Sequence, residues 1–355
     1  MARWQYPAIR KWSMKMHFQI SEKERLANTI DDAKLAAIVH DIRTVGYAVV
    51  QEIVSAETCK LLTHSILEDV ERVRKTGKRT RHEEITGDGH LQLGLRRYAP
   101  FASAELLTNP FIECVVAGVL GPDAWLGFYS GNVNCPDSGY QPLHFDRPYS
   151  WKSPEDAAKD GQPWPPPTTT LSCSIALEEI TIANGATEIY PGSHLETTVA
   201  TWTAHDRLQN HPDLVARRIP TRMEIPAHSV CFRDPRMWHR GVPNPSKKPR
   251  AMIAATYHAS FCKHWRGIYV ANIEPLEMEL LESNPSLRIL DNGMLGDGRL
   301  VFDLDTREEL EAMDSLHGVN RNIRFVAPPE RVNHFLDAHE IGGGRIIENM
   351  EPSPE

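Results

Sequence analysis

His144 and Asp146 flank Phe145 in the segment QPLHFDRPY, residues 141–149. An imidazole and a carboxylate at this spacing can reach one metal ion if the segment is extended, because residues i and i+2 of a strand share a face. Alone, such a pair is more often a surface turn than a metal site. A third ligand must come from elsewhere. The chain has 16 histidines, and the best placed is His239, in FRDPRMWHRGVPNPSKKPRAMIAATY. It follows the apolar run SVCF and a turn, and it precedes another strand-like run. Two imidazoles and a carboxylate on one side of a metal form the facial triad of non-heme Fe(II) oxygenases, which leaves three positions open. Arg250 lies eleven residues past His239, at the start of AMIAATY. Apolar surroundings predict that it is partly buried and needs an anionic partner. Its guanidinium could hold a dicarboxylate cosubstrate through two parallel hydrogen bonds.

These residues must be positioned by the elements around them. DDAKLAAIVHDIRTV (31–45) predicts an amphipathic helix with Leu35, Ile38, Val39 and Ile42 at helical spacing, ended by Gly46. YAVVQEIV then reads as a strand, and Ser55 as the N-cap of a helix over AETCKLLTHSILEDVERVRK. The charged run from Arg72 to Glu84 is expected to be a solvated loop. From about residue 90, short apolar runs such as DAWLGFYSGNVNCP, LSCSIALEEI and RAMIAATYHA are punctuated by turn residues. That pattern predicts an all-β sandwich or barrel. QPWPPPTTT is a Pro-rich loop that cannot be helical, and Asn184-Gly185 predicts a tight hairpin turn. Beyond residue 263, EPLEMELLESNP and TREELEAMDSL read as helices and IGGGRII as a turn before a short strand. The fold class expected is therefore mainly β with flanking helices. Residues 1–89 form a helical and strand segment packing on the core, 90–262 the β core, and 263–355 a C-terminal extension. That extension would pack on the same core and is a candidate homodimer surface.

Composition sets outer limits. With 355 residues the chain can bury a sizeable core, and 41% hydrophobic and 24% charged residues are ordinary for a globular protein. A net charge of −8 argues against a nucleic-acid partner. The six cysteines form no C-x-x-C pair and are too sparse for a disulfide framework, so free thiols in a reducing compartment are expected. The N-terminal MARWQYPAIRKWSMKMHF lacks a continuous apolar stretch, and no segment approaches the length of a membrane span. A cytoplasmic protein with no membrane partner is the expectation.

Three segments in order, QPLHFD, SIALEEITIANGATEIYPGSH and WHRGVPNPSKKPR, resemble the phytanoyl-CoA dioxygenase family of Fe(II)/2-oxoglutarate oxygenases. GYAVVQEIVSAETCKLL resembles that family's N-terminal strand and helix. The resemblance covers roughly residues 40–260, and the loop after the histidine–aspartate pair is enlarged by SWKSPEDAAKDGQPWPPP. It implies a double-stranded β-helix of jelly-roll or cupin type, with His144, Asp146 and His239 as iron ligands. Arg250 would pair with the distal carboxylate of 2-oxoglutarate, while Gln141, Ser174 and Asn134 would be further cosubstrate contacts. It also implies O2 as co-reactant and a C–H bond of a small-molecule substrate as the target, with hydroxylation, desaturation or oxidative cyclisation as outcomes. Scattered basic residues near the enlarged loop (Arg147, Lys152, Lys159) favour a small metabolite of specialised metabolism over an acyl-CoA.

Two other histidine–acid pairs compete. His82 and Glu84 lie in the charged run, and His194 and Glu196 close a turn whose histidine the resemblance implies to be structural. Three other functions use the same residues: a metal hydrolase, an oxygenase of the same fold that does not use 2-oxoglutarate, and a jelly-roll binding protein without activity. The hydrolase has no need of Arg250.

Overall fold

A computed structural model describes residues 16–262 apart from 76, 78, 96–99, 102 and 203–207. The C-terminal extension, with its expected helices and dimer surface, lies outside the described residues.

Among the described residues, ten strands form two sheets. They are β1 (His17–Gln19), β2 (Tyr47–Gln51), β3 (His90–Gly94), β4 (Trp125–Asn134), β5 (Thr170–Ala176), β6 (Glu188–Ile189), β7 (Thr221–Arg222), β8 (Val230–Arg233), β9 (His239–Arg240) and β10 (Arg250–His258). The major sheet has seven strands in the order β1-β2-β8-β5-β10-β4-β3, and the minor sheet three in the order β7-β6-β9. All pairings are antiparallel except β1 with β2. This is a double-stranded β-helix with helices on the outside of the major sheet. Two of its seven strands come from before residue 90, so the N-terminal segment joins the sheet itself.

The helices are α1 (Glu22–Ala27), α2 (Asp32–Thr44), α3 (Ala56–Lys75), α4 (Arg81–Thr86), α5 (Ala104–Leu107), α6 (Pro110–Leu120), α7 (Pro154–Lys159) and α8 (Pro212–Val215). α2 forms as its periodicity predicts, capped by Asp31, whose side chain accepts from the Ala33 amide at 3.0 Å, with Ile38, Val39 and Ile42 buried. Ser55 caps α3 through the Thr58 amide at 3.1 Å. α6 interrupts the region read as all β. Asn109 accepts from the Phe111 and Ile112 amides, Pro110 occupies the first turn, and Ile112, Val115, Val116 and Val119 face the core. Gly118 lets α2 approach α6 closely, since a Cβ there would stand 2.9 Å from Val39 Cγ2.

Two local expectations are corrected. The charged run is not a solvated loop, because its start belongs to α3, which runs to Lys75, and its end to α4, which begins at Arg81. Thr80 and Glu83 form a reciprocal capping box, and the buried Glu83 carboxylate pairs with Arg74 at 2.8 Å and accepts from the Gly89 amide. A carboxylate so satisfied can be buried despite its charge. Asn184-Gly185 does not make a hairpin. Residues 182–184 form a 3-10 turn that ends on Gly185 at φ +81°, and the flanking strands β5 and β6 lie in different sheets. The Asn184 side chain bonds the Thr181 amide and the Glu179 carbonyl, closing that turn instead.

Alternation along the major sheet separates two environments. Leu171, Cys173, Ile175, Phe232, Ile253, Ala255 and Tyr257 face the helices. Their neighbours face the minor sheet, where Ala176, Cys231, Ile189, Ile225 and Met237 form a second cluster. On β10, an interior strand, the inward residues Met252, Ala254 and Thr256 stay partly exposed, although both edges of the strand are paired. The minor sheet therefore does not fully cover that face.

Candidate metal centre

His144 lies outside the regular strands but pairs with His239 of β9 across an antiparallel bridge, amide to carbonyl at 3.0 and 2.9 Å in the two directions. Asp146 follows on the same chain, held by its amide to the Pro235 carbonyl at 2.9 Å. The turn before His239 is fixed just as firmly. Asp234 and Arg236 form a buried ion pair, Arg236 also bonds the Pro166 carbonyl of the enlarged loop, and the Trp238 amide donates to Ser193 Oγ at 2.8 Å.

One ligand atom from each of His144, Asp146 and His239 lies within 4.8 Å of the others. Asp146 Oδ1 stands 3.5 Å from His144 Nε2 and 3.3 Å from His239 Nε2. An ion with bonds of about 2.1 Å at right angles would separate neighbouring ligand atoms by about 3 Å, so the three donors suit one small octahedral cation. Proton positions agree. His144 Nδ1 is 2.7 Å from the Pro142 carbonyl and His239 Nδ1 is 2.9 Å from the Met237 carbonyl. A carbonyl can only accept, so Nδ1 carries the hydrogen and Nε2 presents its lone pair. His239 Nδ1 is also 3.2 Å from Arg233 Nη1. A bond from that donor would place the hydrogen on Nε2, so coordination requires the tautomer that donates to Met237.

Electrostatics set the forms that a metal needs. Burial, reinforced by the Arg233 charge, pushes the His239 pKa down to about 4, against the opposing pull of Asp146. Its imidazole is therefore neutral at neutral pH. Burial would raise the Asp146 pKa, but His239, Arg233 and the histidine hydrogen bonds outweigh it and hold the carboxyl well below its usual range. The Asp146 side chain keeps 38% of its surface open, which limits the opposing cost of burial.

The bridge between the two ligand loops continues towards Arg250. The Gln141 amide donates to the Gly241 carbonyl at 3.0 Å, and Gln141 Oε1 accepts from the Gly241 amide at 2.8 Å. Asn134, on β4 opposite Arg250, donates to the Val242 and Gly185 carbonyls and accepts from Ser138 Oγ. Arg250 Nη2 donates to the same Gly185 carbonyl at 2.9 Å. The predicted contacts thus fall into two groups. Asn134 and Arg250 share the Gly185 carbonyl, while Gln141 bonds Gly241, next in the chain to Asn134's other acceptor Val242, so the Gln141 carbonyl oxygen and the Asn134 amide are already engaged by backbone. Ser174 lies apart, opposite Ala254 and four residues along β10 from Arg250.

Arg250 is 5% exposed, and among the described residues no carboxylate pairs with it and its Nε has no partner. Burial lowers its pKa to about 10, so it still carries its charge at neutral pH. Burial also lowers the His90 pKa, an effect to which the Arg250 charge adds and which the Gly139 carbonyl opposes.

The competing histidines go elsewhere. His82 sits in α4, and His194 is buried with Nε2 on the Arg43 carbonyl at 3.0 Å. Arg233 was not singled out by sequence reasoning, yet its Nη2 donates to Asp146 Oδ2 at 2.7 Å. The signal available was an arginine closing the apolar run SVCF, where burial demands an anion.

The phytanoyl-CoA dioxygenase family model matches residues 42–252, more than half of the chain, and takes in all three clustered side chains. The chain belongs to the phytanoyl-CoA dioxygenase family. It is 28% identical over 163 residues to the dioxygenase andF of Emericella variicolor, covering 43% of this chain and 49% of that one. It is 28% identical over 159 residues to the dioxygenase trt7 of Aspergillus terreus, covering 42% and 51%. The matched stretch thus spans about half the length of these curated relatives. Among solved structures, the non-heme alpha-ketoglutarate-dependent epimerase SnoN from nogalamycin biosynthesis aligns at 19% identity and a TM-score of 0.44, covering 64% of this chain and 82% of that one. All six cysteines carry free thiols, and no described helix is long and apolar enough to cross a membrane.

Proposed function

We infer that this family member is an Fe(II)/2-oxoglutarate-dependent oxygenase acting on an unactivated C–H bond of a small-molecule metabolite, by hydroxylation, desaturation or oxidative cyclisation. The free thiols favour a cytoplasmic setting. His144, Asp146 and His239 would hold the iron. The observation that carries the reading is Arg250, a buried guanidinium with an unpartnered Nε and no counter-charge among the described residues. An isolated buried charge is costly, so a site that keeps one is built for an anionic ligand. A dicarboxylate would bring the missing charge at one end and a second carboxylate, free to bind a metal, at the other. A metal hydrolase has no use for such a group.

When bound, iron and 2-oxoglutarate together supply oxidation of a C–H bond coupled to decarboxylation of the cosubstrate. The chain's own residues bind and orient. Arg250 would fix the distal carboxylate, the paired Gln141 and Gly241 backbones keep the two ligand loops in register, and the partly exposed face of Met252, Ala254 and Thr256 would offer space for the substrate. The test is succinate release from 2-oxoglutarate by iron-reconstituted protein under air. Succinate formed in proportion to O2 consumed, and lost in His239→Ala, supports the reading. O2-independent hydrolytic turnover that survives Arg250→Ala overturns it in favour of a hydrolase.

A further inference from the structure

Asp146 divides its two oxygens between different tasks. Oδ1 faces both histidine Nε2 atoms, at 3.5 and 3.3 Å, and Oδ2 accepts from Arg233 Nη2 at 2.7 Å. The aspartate is the most open of the three clustered residues, so packing alone does not set its rotation. Arg233 is better placed to do so. Its side chain is 8% exposed, and its backbone is paired on both sides, to Tyr47 of β2 and Ser172 of β5, in the interior of the major sheet. A carboxylate free to turn could offer a metal both oxygens. It would then fill four of six positions together with two histidines, and one of the sites needed by a bidentate cosubstrate and O2 would be lost.

We propose that Arg233 is a positioning residue that holds Asp146 as a one-oxygen metal ligand, with Oδ1 presented and Oδ2 withheld. The inference rests on the metal reading above and adds to it a residue that would touch neither metal nor cosubstrate. It has a physical rival. A guanidinium beside a dication also repels it, so Arg233 could act mainly as a counter-charge that weakens metal binding. The two roles predict opposite signs.

The experiment is Co(II) binding by calorimetry and visible absorption, with no turnover involved, on folded protein checked by thermal melting. Positioning predicts that Arg233→Met weakens Co(II) binding by about 10- to 100-fold, the range usual for groups that orient a ligand. Arg233→Lys keeps the charge but loses the planar fork, and should also bind Co(II) more weakly than wild type. In an Asp146→Ala background the further change Arg233→Met should cost nothing, because there is no carboxylate left to orient. Unchanged or tighter binding in Arg233→Met would show a counter-charge and overturn the inference. If Arg233→Met does not fold, Arg233→Lys decides alone, since a counter-charge role predicts wild-type affinity there. The control is His144→Ala. If it leaves Co(II) affinity intact, the metal reading itself fails. If it weakens binding while both Arg233 variants match wild type, only the role of Arg233 fails.

Discussion

Arg233 and Arg250 stand near opposite ends of the inner face of one sheet, both buried, and they differ in what neutralises them. Arg233 has Asp146 at 2.7 Å, an anion supplied by the chain. Arg250 has one backbone carbonyl and an unpartnered Nε. Each also has a histidine beside it whose pKa is depressed by burial, His239 at the first and His90 at the second. The contrast teaches how a buried charge should be read. A paired guanidinium orients its partner, and its removal disturbs the partner's work. An unpaired guanidinium weakens the empty protein and becomes favourable only when a ligand brings the missing charge.

The largest effect expected is at the metal end. His144→Ala or His239→Ala should reduce retained iron, measured by metal analysis after desalting, to background. Retention of a full equivalent in both variants would separate the histidine cluster from metal binding. Next comes Arg250. Breaking a charge-assisted pair in a desolvated pocket costs on the order of 2–5 kcal/mol, so Arg250→Ala should raise the 2-oxoglutarate requirement by roughly 30-fold or more. Arg250→Lys should fall between, because the charge remains and the fork is lost. Without cosubstrate, Arg250→Met should melt at the same temperature as wild type or higher. A large loss of stability would mean that the guanidinium has a partner of its own.

A smaller effect is expected at Gly185, whose carbonyl serves Arg250. It adopts φ +81°, and a Cβ there would stand 2.4 Å from Asn134 Nδ2. Gly185→Val should cost about 1–3 kcal/mol from backbone strain alone, read as a lower melting temperature, with 2-oxoglutarate affinity falling more than metal affinity. The smallest effect concerns pH. Burial lowers the pKa values of His90, His194 and His239. Below about pH 6.5 the unfolded chain takes up protons that these folded imidazoles refuse, so stability falls as pH drops. Glu24, Glu83 and Asp234 have depressed pKa values, and their contribution is lost only at lower pH, below the usual carboxylate range. Metal-free protein should therefore melt progressively lower between about pH 6.5 and pH 5. A flat profile there would contradict the neutral, buried histidines at both ends.

Some of this arrangement was legible from residues alone. The spacing of Leu35, Ile38, Val39 and Ile42 predicts α2, and Ser55 predicts the start of α3, because local periodicity and capping decide both. His144, Asp146, His239 and Arg250 could be singled out because their types fit one chemistry in one order. Other features depended on signals that were present but overruled. Asn109-Pro110 announces α6, and Thr80 with Glu83 announces α4, yet apolar runs read as strands and charges read as solvated. Gly185 takes the positive φ that suits a glycine at a turn, but Asn184 bonds back to Glu179 and Thr181, which a dipeptide signal does not reveal. The pairing of Arg233 with Asp146 spans 87 residues and depends on which strand neighbours which. No periodicity encodes it.

In the proposed function a metal held by His144, Asp146 and His239 would share a dicarboxylate with Arg250. Anaerobic titration of Fe(II)-loaded protein with 2-oxoglutarate, followed by visible absorption, tests it most directly. A metal-to-ligand band should grow to saturation in wild type. It should need far more 2-oxoglutarate in Arg250→Ala and should be missing in His144→Ala. A wild type that shows no band, or a band indifferent to both substitutions, would contradict the account.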